Sequence, residues 1–291
     1  MSCHKNILEL PIDMAQALTG TIAQEKSTQR DIFERVMALQ GEIFRNVQGR
    51  RTLRFQLLGE SYFAKLHEGV GWPEIFKNLL TLRMPILSAM TEVHAIQKLN
   101  QIDIPTTPLV AYGVRGCSPA RLRSFVITED LGDIISLETL CADWKTNPPD
   151  ARFKRRLIVA VAKLAHRFHA YGLNHRDFYI CHFCLDKKRL ADDEIHLYLI
   201  DLHRVGIRPQ IAYNDRMKDI AGLYFSAMNI GLTARDVLRF LRIYRQAHLA
   251  DILKTDQEFL QQVTLRAEKL YVKFHGVMPQ AIFKNTAISK K

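Results

Sequence analysis

The sequence is poor in cysteine. Five cysteines in 291 residues, an odd number, cannot form a fully paired disulfide framework. Cys3, Cys117 and Cys141 stand alone, and Cys181 with Cys184 makes a single C-x-x-C. A reduced compartment is the simplest reading. Long apolar runs are missing as well: nothing approaches the roughly 18 consecutive apolar residues that cross a bilayer. The first ten residues lack the apolar core of a secretory signal, so the cytosol is the expected location. There are 10 prolines, no low-complexity tract, no Gly/Ser linker and no internal repeat. With 47% hydrophobic residues, the chain buries enough apolar surface to exclude disorder.

Acidic residues are the remaining shortage, 30 against 41 lysines and arginines, which leaves a net charge of +11. That excess favours an anionic partner: a phosphorylated substrate, an acidic protein, an anionic membrane surface or nucleic acid. Nucleic acid has no support beyond charge, since no aromatic-basic recognition motif is present. The runs Lys154-Arg155-Arg156 and Lys187-Lys188-Arg189 read more readily as solvated faces than as sites. The helix Val237 to Tyr244 is basic and amphipathic through Arg239, Arg242 and Arg245. The stretch Ile7 to Leu18 mixes apolar residues with few charges, and packing on the core is preferred to resting on a membrane.

Hydrophobic periodicity organises the rest. Gln29 to Phe44 reads as a helix, with Ile32, Phe33, Val36, Leu39 and Ile43 at helical spacing. From Thr52 the period changes to two, and Gly59-Glu60 is read as the turn of a hairpin whose second arm is Tyr62 to His67. Along that arm Phe63, Lys65 and His67 share one face. A helix is expected from about Ile86 to Asn100, then strands at Leu109 to Tyr112 and Ser124 to Thr128. A long helix follows at Arg152 to Tyr171, with Gly172 at its C-cap. The apolar run I-H-L-Y-L-I ends at Asp201, and the chain from about Asn214 is mainly helical.

Four polar elements fall in an order that suits phosphoryl transfer from ATP: Lys65 on a strand, Glu92 on the next helix, His175-Arg176-Asp177 in a loop, and Asp201 at a strand end. Such transfer asks the protein to hold the phosphates, neutralise charge through Mg²⁺ and orient the nucleophile. A strand lysine kept extended by a glutamate meets the first need. A carboxylate meets the second, because Mg²⁺ prefers oxygen ligands. A loop aspartate near the acceptor hydroxyl meets the third.

That order resembles the protein-kinase signature set. The segment G-L-N-H-R-D-F-Y-I-C-H-F, with R-R-T-L-R-F, S-Y-F-A-K-L-H, F-V-I-T-E-D-L and L-I-D-L-H-R, is similar to the bacterial lipopolysaccharide core heptose kinases over roughly residues 33–244. The resemblance implies an α+β, bilobal protein-kinase-like fold. A small β-rich N-lobe would occupy residues 1–130 and a mainly helical C-lobe 131–291, with a hinge near 129–132. It implies an ATP- and Mg²⁺-dependent transfer of phosphate to a heptose hydroxyl of the inner core. Asp177 would be the catalytic base, Lys65 would contact the ATP phosphates and pair with Glu92, and Asp201 would bind Mg²⁺. Glu129 and Leu131 would meet adenine through their backbones, and Asp219 would brace the catalytic loop. Arg176, Arg204 and Arg51 are candidates for phosphate or acceptor contact. The implied partners are a lipid-linked core oligosaccharide, the anionic cytoplasmic face of the inner membrane and an acidic protein such as acyl carrier protein.

The sequence also departs from protein kinases. No G-x-G-x-x-G precedes Lys65, so a glycine-loop phosphate cradle has no support. Phe63 stands where those enzymes keep alanine, and Leu202-His203 replaces Phe-Gly after the metal aspartate. His182 occupies the position of a metal-binding asparagine; either metal ligation or a hydrogen bond to phosphate would employ it. These differences disfavour protein substrates. A different small-molecule or protein kinase, and a non-catalytic binding protein on the same scaffold, are the alternatives. Zinc at Cys181-x-x-Cys184 lacks the four ligands of a closed site, and buried thiols account for the pair equally well.

Overall fold

The computed structural model describes residues 6–19, 29–47, 49–69, 71–72, 88–190, 192 and 194–280. They fall into two compact units. The first comprises the described residues up to 98, with 107–132 and 202–204; the second comprises 99–106, 133–201 and those from 205 onward.

The first unit is built on a six-stranded antiparallel sheet in the order β1-β5-β6-β4-β3-β2. The strands are β1 (Ile7–Glu9), β2 (Glu42–Val47), β3 (Arg50–Leu57), β4 (Glu60–His67), β5 (Leu109–Arg115) and β6 (Arg123–Glu129). The β3–β4 hairpin turns at Leu58-Gly59, both with positive φ (54° and 84°), one residue earlier than the sequence suggests. Paired positive φ values match the right-handed twist of the flanking strands. Alternation then sorts the side chains. Leu53, Phe55, Ala64, Leu66, Phe125 and Ile127 point to one face, where helices α1 (Ile12–Thr19) and α2 (Gln29–Met37) cover them with Met14, Phe33, Val36 and Met37. Each such side chain stabilises the unit by about 1.5–3 kcal/mol. The N-terminal stretch is thus part of this core, with Leu8, Leu10 and Leu18 packed against it.

The expected helix over Gln29 to Phe44 is too long. It ends at Met37, and Ile43 and Phe44 belong to edge strand β2. Gly41 explains the break, because a Cβ there would overlap the Arg54 carbonyl oxygen. Helical spacing of apolar residues ran past a glycine whose purpose is close strand approach. The next helix, α3, is Met90–Gln101; the part of its expected range at residues 86 and 87 lies outside the described residues.

The second unit is mainly helical. After the short α4 (Leu137–Leu140) come α5 (Ala151–Ala170), α6 (Tyr213–Ala227), α7 (Ala234–Arg245), α8 (Leu249–Thr255) and α9 (Gln257–His275). Helix α5 starts at Asp150, whose carboxylate accepts from the Arg152 and Phe153 backbone N–H groups. Its stripe Leu157, Val161, Leu164 and Phe168 is buried. Gly172 follows at φ 78°, where a Cβ would overlap the Arg208 carbonyl oxygen. Short strands β7 (Ile134–Ser136), β9 (Phe183–Asp186) and β10 (Leu197–Leu199) form a three-stranded sheet, and β8 (Leu173–Asn174) pairs with β11 (Gly206–Ile207).

Candidate active site

In the first unit, β4 presents Lys65 on the face opposite the α1–α2 core. Its Nζ donates to Glu92 Oε1 at 2.6 Å, and Glu92, on α3, is only 5% exposed in its side chain. The glutamate's second oxygen, Oε2, is buried and has no hydrogen-bond partner. Two residues before Lys65, Phe63 meets Phe44 of β2 edge-on with ring centroids 5.1 Å apart. Farther along β4, burial pushes the His67 imidazole down to about 4, with Arg50, Lys65 and His203 adding positive charge nearby.

At the end of β6, Glu129 is exposed and Leu131 half-buried. The Glu129 N–H donates to the Pro108 carbonyl and the Asp130 N–H to the Ser61 carbonyl, both at 3.0 Å. The Leu131 N–H has no partner among the described residues. The Asp130 carboxylate accepts from Ser61 Oγ at 2.9 Å and lies 2.8 Å from the Arg54 guanidinium. Arg51 is on the wrong side for a shared site with Lys65. It pairs with Leu66 in register, and its guanidinium donates to the Met37 carbonyl at the end of α2.

The second unit gathers the loop residues around one buried carboxylate. Asp219 of α6, 1% exposed, accepts the His175 N–H on Oδ2 at 2.6 Å and the Arg176 N–H on Oδ1 at 2.9 Å. His175 Nε2 donates to the Ile200 carbonyl at 3.0 Å, which ties the loop to the strand end before Asp201. Burial pushes the His175 imidazole down to about 4, so it serves as a neutral donor. Arg176 (φ 70°) and Asp201 (φ 62°) are two of five non-glycine residues at positive φ among the described residues. Such conformations cost about 1–3 kcal/mol and persist where surroundings enforce them, often at functional sites.

Asp177 is half-buried, and its carbonyl accepts from His182 Nδ1 at 2.7 Å. That bond places a proton on Nδ1. Nε2 lies 3.5 Å from Asp201 Oδ2, on a carboxylate 31% exposed. The partly exposed Asp201 carboxylate is an oxygen donor of the kind that suits Mg²⁺, whereas an imidazole nitrogen is a poorer ligand for that ion. No group of three or more His, Cys, Asp or Glu capable of holding a metal occurs among the described residues. Arg204, half-buried, lies in the turn Leu202–Arg204.

The thiols of Cys181 and Cys184 are pushed up to about 11, chiefly by burial. Cys141 is a third free thiol, whereas Cys117 is disulfide-bonded, a departure from the expectation that it stands alone.

Sequence reasoning missed His169 of α5 and Tyr244 of α7, which extend the Asp219 network. A histidine inside the apolar stripe of α5 was the available signal. On another face of this unit lies a groove of about 1170 Å³ lined by Arg152, Arg155, Lys163, Arg167 and Arg239 among others. Part of the basic surface is neutralised internally: Lys154 and Arg239 pair with Asp236, and Arg245 with Asp256.

Known proteins carry the same pattern. The profile of the lipopolysaccharide kinase (Kdo/WaaP) family matches residues 34–244. The lipopolysaccharide core heptose(I) kinase WaaP of Escherichia coli is 50% identical over 242 residues, 83% of this chain and 91% of that protein. The protein of the same name from Pseudomonas aeruginosa is 48% identical over 243 residues, with the same coverage. A solved structure of WaaP in complex with acyl carrier protein superposes with a TM-score of 0.76 at 41% identity, covering 91% of this chain and 99% of that one. The fold is therefore protein-kinase-like, an antiparallel sheet region followed by a helical region. On the extent of the profile match and the identity to these relatives, the chain belongs to the lipopolysaccharide kinase (Kdo/WaaP) family.

Proposed function

We propose that this protein transfers the γ-phosphate of ATP to a hydroxyl of heptose I in the lipopolysaccharide inner core. The observation that carries this reading is the loop held by Asp219. Its two oxygens fix the amides immediately before Asp177, the residue that accepts the acceptor hydroxyl's proton. Lys65, kept extended by Glu92, contacts the ATP phosphates. Asp201, with His182 beside it, would hold Mg²⁺, which would supply positive charge against the transferring phosphoryl group. The free Leu131 N–H and the Glu129 backbone meet adenine, and the Phe63–Phe44 pair offers the base an aromatic face where protein kinases have a small residue. Arg176 and Arg204 are the basic residues nearest in sequence to the proposed base and metal aspartates. Arg51 is left out of this assignment, since its guanidinium is spent on α2.

Incubation with γ-labelled ATP, Mg²⁺ and dephosphorylated core should label the acceptor, and Asp177→Ala should lower the rate by about 10²–10⁴-fold without unfolding the chain. Label appearing on a protein substrate instead would favour a protein kinase.

The partner reading follows from charge. An acidic protein of the acyl carrier type, as in the complex of the solved WaaP relative, would seat against the basic groove beside α5 and α7. Lys163→Glu and Arg155→Glu together should abolish a salt-sensitive association with such a carrier. No helix of the described residues is long and apolar enough to cross a membrane, so the lipid-linked acceptor would be met peripherally, at the anionic cytoplasmic face.

A further inference from the structure

Three helices of the second unit converge on one buried hydrogen-bond chain that the transfer reaction does not itself require. His169 of α5 is 4% exposed and Tyr244 of α7 is 3% exposed. Tyr244 Oη and His169 Nδ1 are 2.8 Å apart, and His169 Nε2 lies 3.3 Å from Asp219 Oδ2, the oxygen that also accepts the His175 N–H. One turn earlier on α5, His166 Nδ1 lies 2.8 Å from the Tyr244 carbonyl, a second tie between the two helices.

The donor pattern has one solution for a neutral ring. A carboxylate accepts, so the His169 proton sits on Nε2; Nδ1 is then the acceptor and the Tyr244 hydroxyl must donate. Burial raises the Tyr244 phenol well above its ordinary value, which keeps that hydroxyl a donor. Without the hydroxyl, Nδ1 is left buried with no partner, and the ring loses the bond that holds it against Asp219.

We propose that Tyr244 is a positioning residue that acts through His169. Its hydroxyl holds the His169 ring with Nε2 on Asp219, and Asp219 in turn sets the backbone from which Asp177 projects. Helix α7 is thereby coupled to the catalytic loop through a chain of three side chains. The competing account is aromatic packing, because His169 also stands edge-on to Tyr244 at 5.7 Å and against Phe178 at 5.4 Å. Packing alone would be served equally by phenylalanine at either position.

The kinetic arm of the test rests on the phosphotransfer reading; the exchange arm does not. Tyr244→Phe deletes a single oxygen. It should lower kcat about fivefold, the rate equivalent of one net hydrogen bond, with KM for ATP within twofold. His169→Phe should lower kcat further, and His169→Gln, whose amide N–H can replace Nε2–H, should recover most of the loss. In the full-length protein, hydrogen exchange at the His175 and Arg176 amides should quicken about fivefold in Tyr244→Phe while the amides of α9 keep their wild-type rates. Wild-type kcat together with wild-type exchange in Tyr244→Phe would overturn the proposal, as would quickening spread evenly over α5 to α9. Should His169→Phe fail to fold, Tyr244→Phe decides alone. Absence of any transfer by the wild-type protein would remove the kinase reading and leave the exchange result to judge the chain.

Discussion

The two units hold their functional side chains in opposite ways. Lys65 is a partly exposed lysine on a strand, held in an ion pair with the well-buried Glu92. Asp177 belongs to a loop whose two preceding amides meet, together with the His169 imidazole, on buried Asp219. A strand lysine is long and adjustable, so pairing with a buried carboxylate is enough to hold it extended. A loop carboxylate that must sit within a hydrogen bond of a hydroxyl needs its backbone fixed, which takes several donors on one acceptor. Each arrangement predicts a different pattern of damage.

The largest effect is expected at the loop. Asp219→Ala strands the His175 and Arg176 N–H groups in the interior, at about 1–3 kcal/mol for each buried unsatisfied donor. Denaturant unfolding should show a loss of at least ~2 kcal/mol; a loss below ~1 kcal/mol would mean that the loop is held by something else.

Acidification probes both units together. His67 and His175 each have a folded-state value of about 4 against an ordinary 6.5. The unfolded chain therefore binds more protons between those values. The stabilisation is complete above about pH 6.5 and is lost as pH falls toward 4, by on the order of 3 kcal/mol for each group. Urea midpoints measured across that window should fall steeply. His67→Asn and His175→Asn should each flatten the slope, and a flat profile in the wild type would contradict the buried neutral assignment.

At the ion pair the effect should be smaller and asymmetric. Lys65→Met leaves the buried Glu92 carboxylate without its cation and should cost about 1–2 kcal/mol, discounted because the lysine is partly exposed. The double variant Lys65→Met, Glu92→Gln should regain most of that stability while remaining inactive. Recovery of activity in the double variant would show that the lysine charge is dispensable.

The smallest effect belongs to Arg51→Ala. Losing its bond to the Met37 carbonyl should cost about 1 kcal/mol of stability. Turnover should stay within about twofold of wild type, since a factor of ten in rate corresponds to 1.4 kcal/mol. A large fall in turnover would return Arg51 to the phosphate site.

Much of this comparison was legible in the sequence, because it depends on order and alternation. The period of two through β4 puts Lys65 and Phe63 on one face, and the order of H-R-D and Asp201 along the chain gives the remaining candidate positions. What could not be read is what depends on three-dimensional approach. Gly41 ends a helical pattern because of a strand carbonyl far along the chain, which periodicity does not register. Arg51 and Lys65 occupy neighbouring strands yet opposite faces, and register alone decides that. His169 and Tyr244 are separated by 75 residues, so their shared bond has no local signature.

The most direct test of the account is single-turnover transfer from γ-labelled ATP to dephosphorylated core by wild type and Asp177→Asn, with ATP affinity and folding measured in parallel. The account predicts that the asparagine variant folds, binds ATP as the wild type does and transfers at least about 10²-fold more slowly. Transfer at the wild-type rate by a folded Asp177→Asn protein would contradict it.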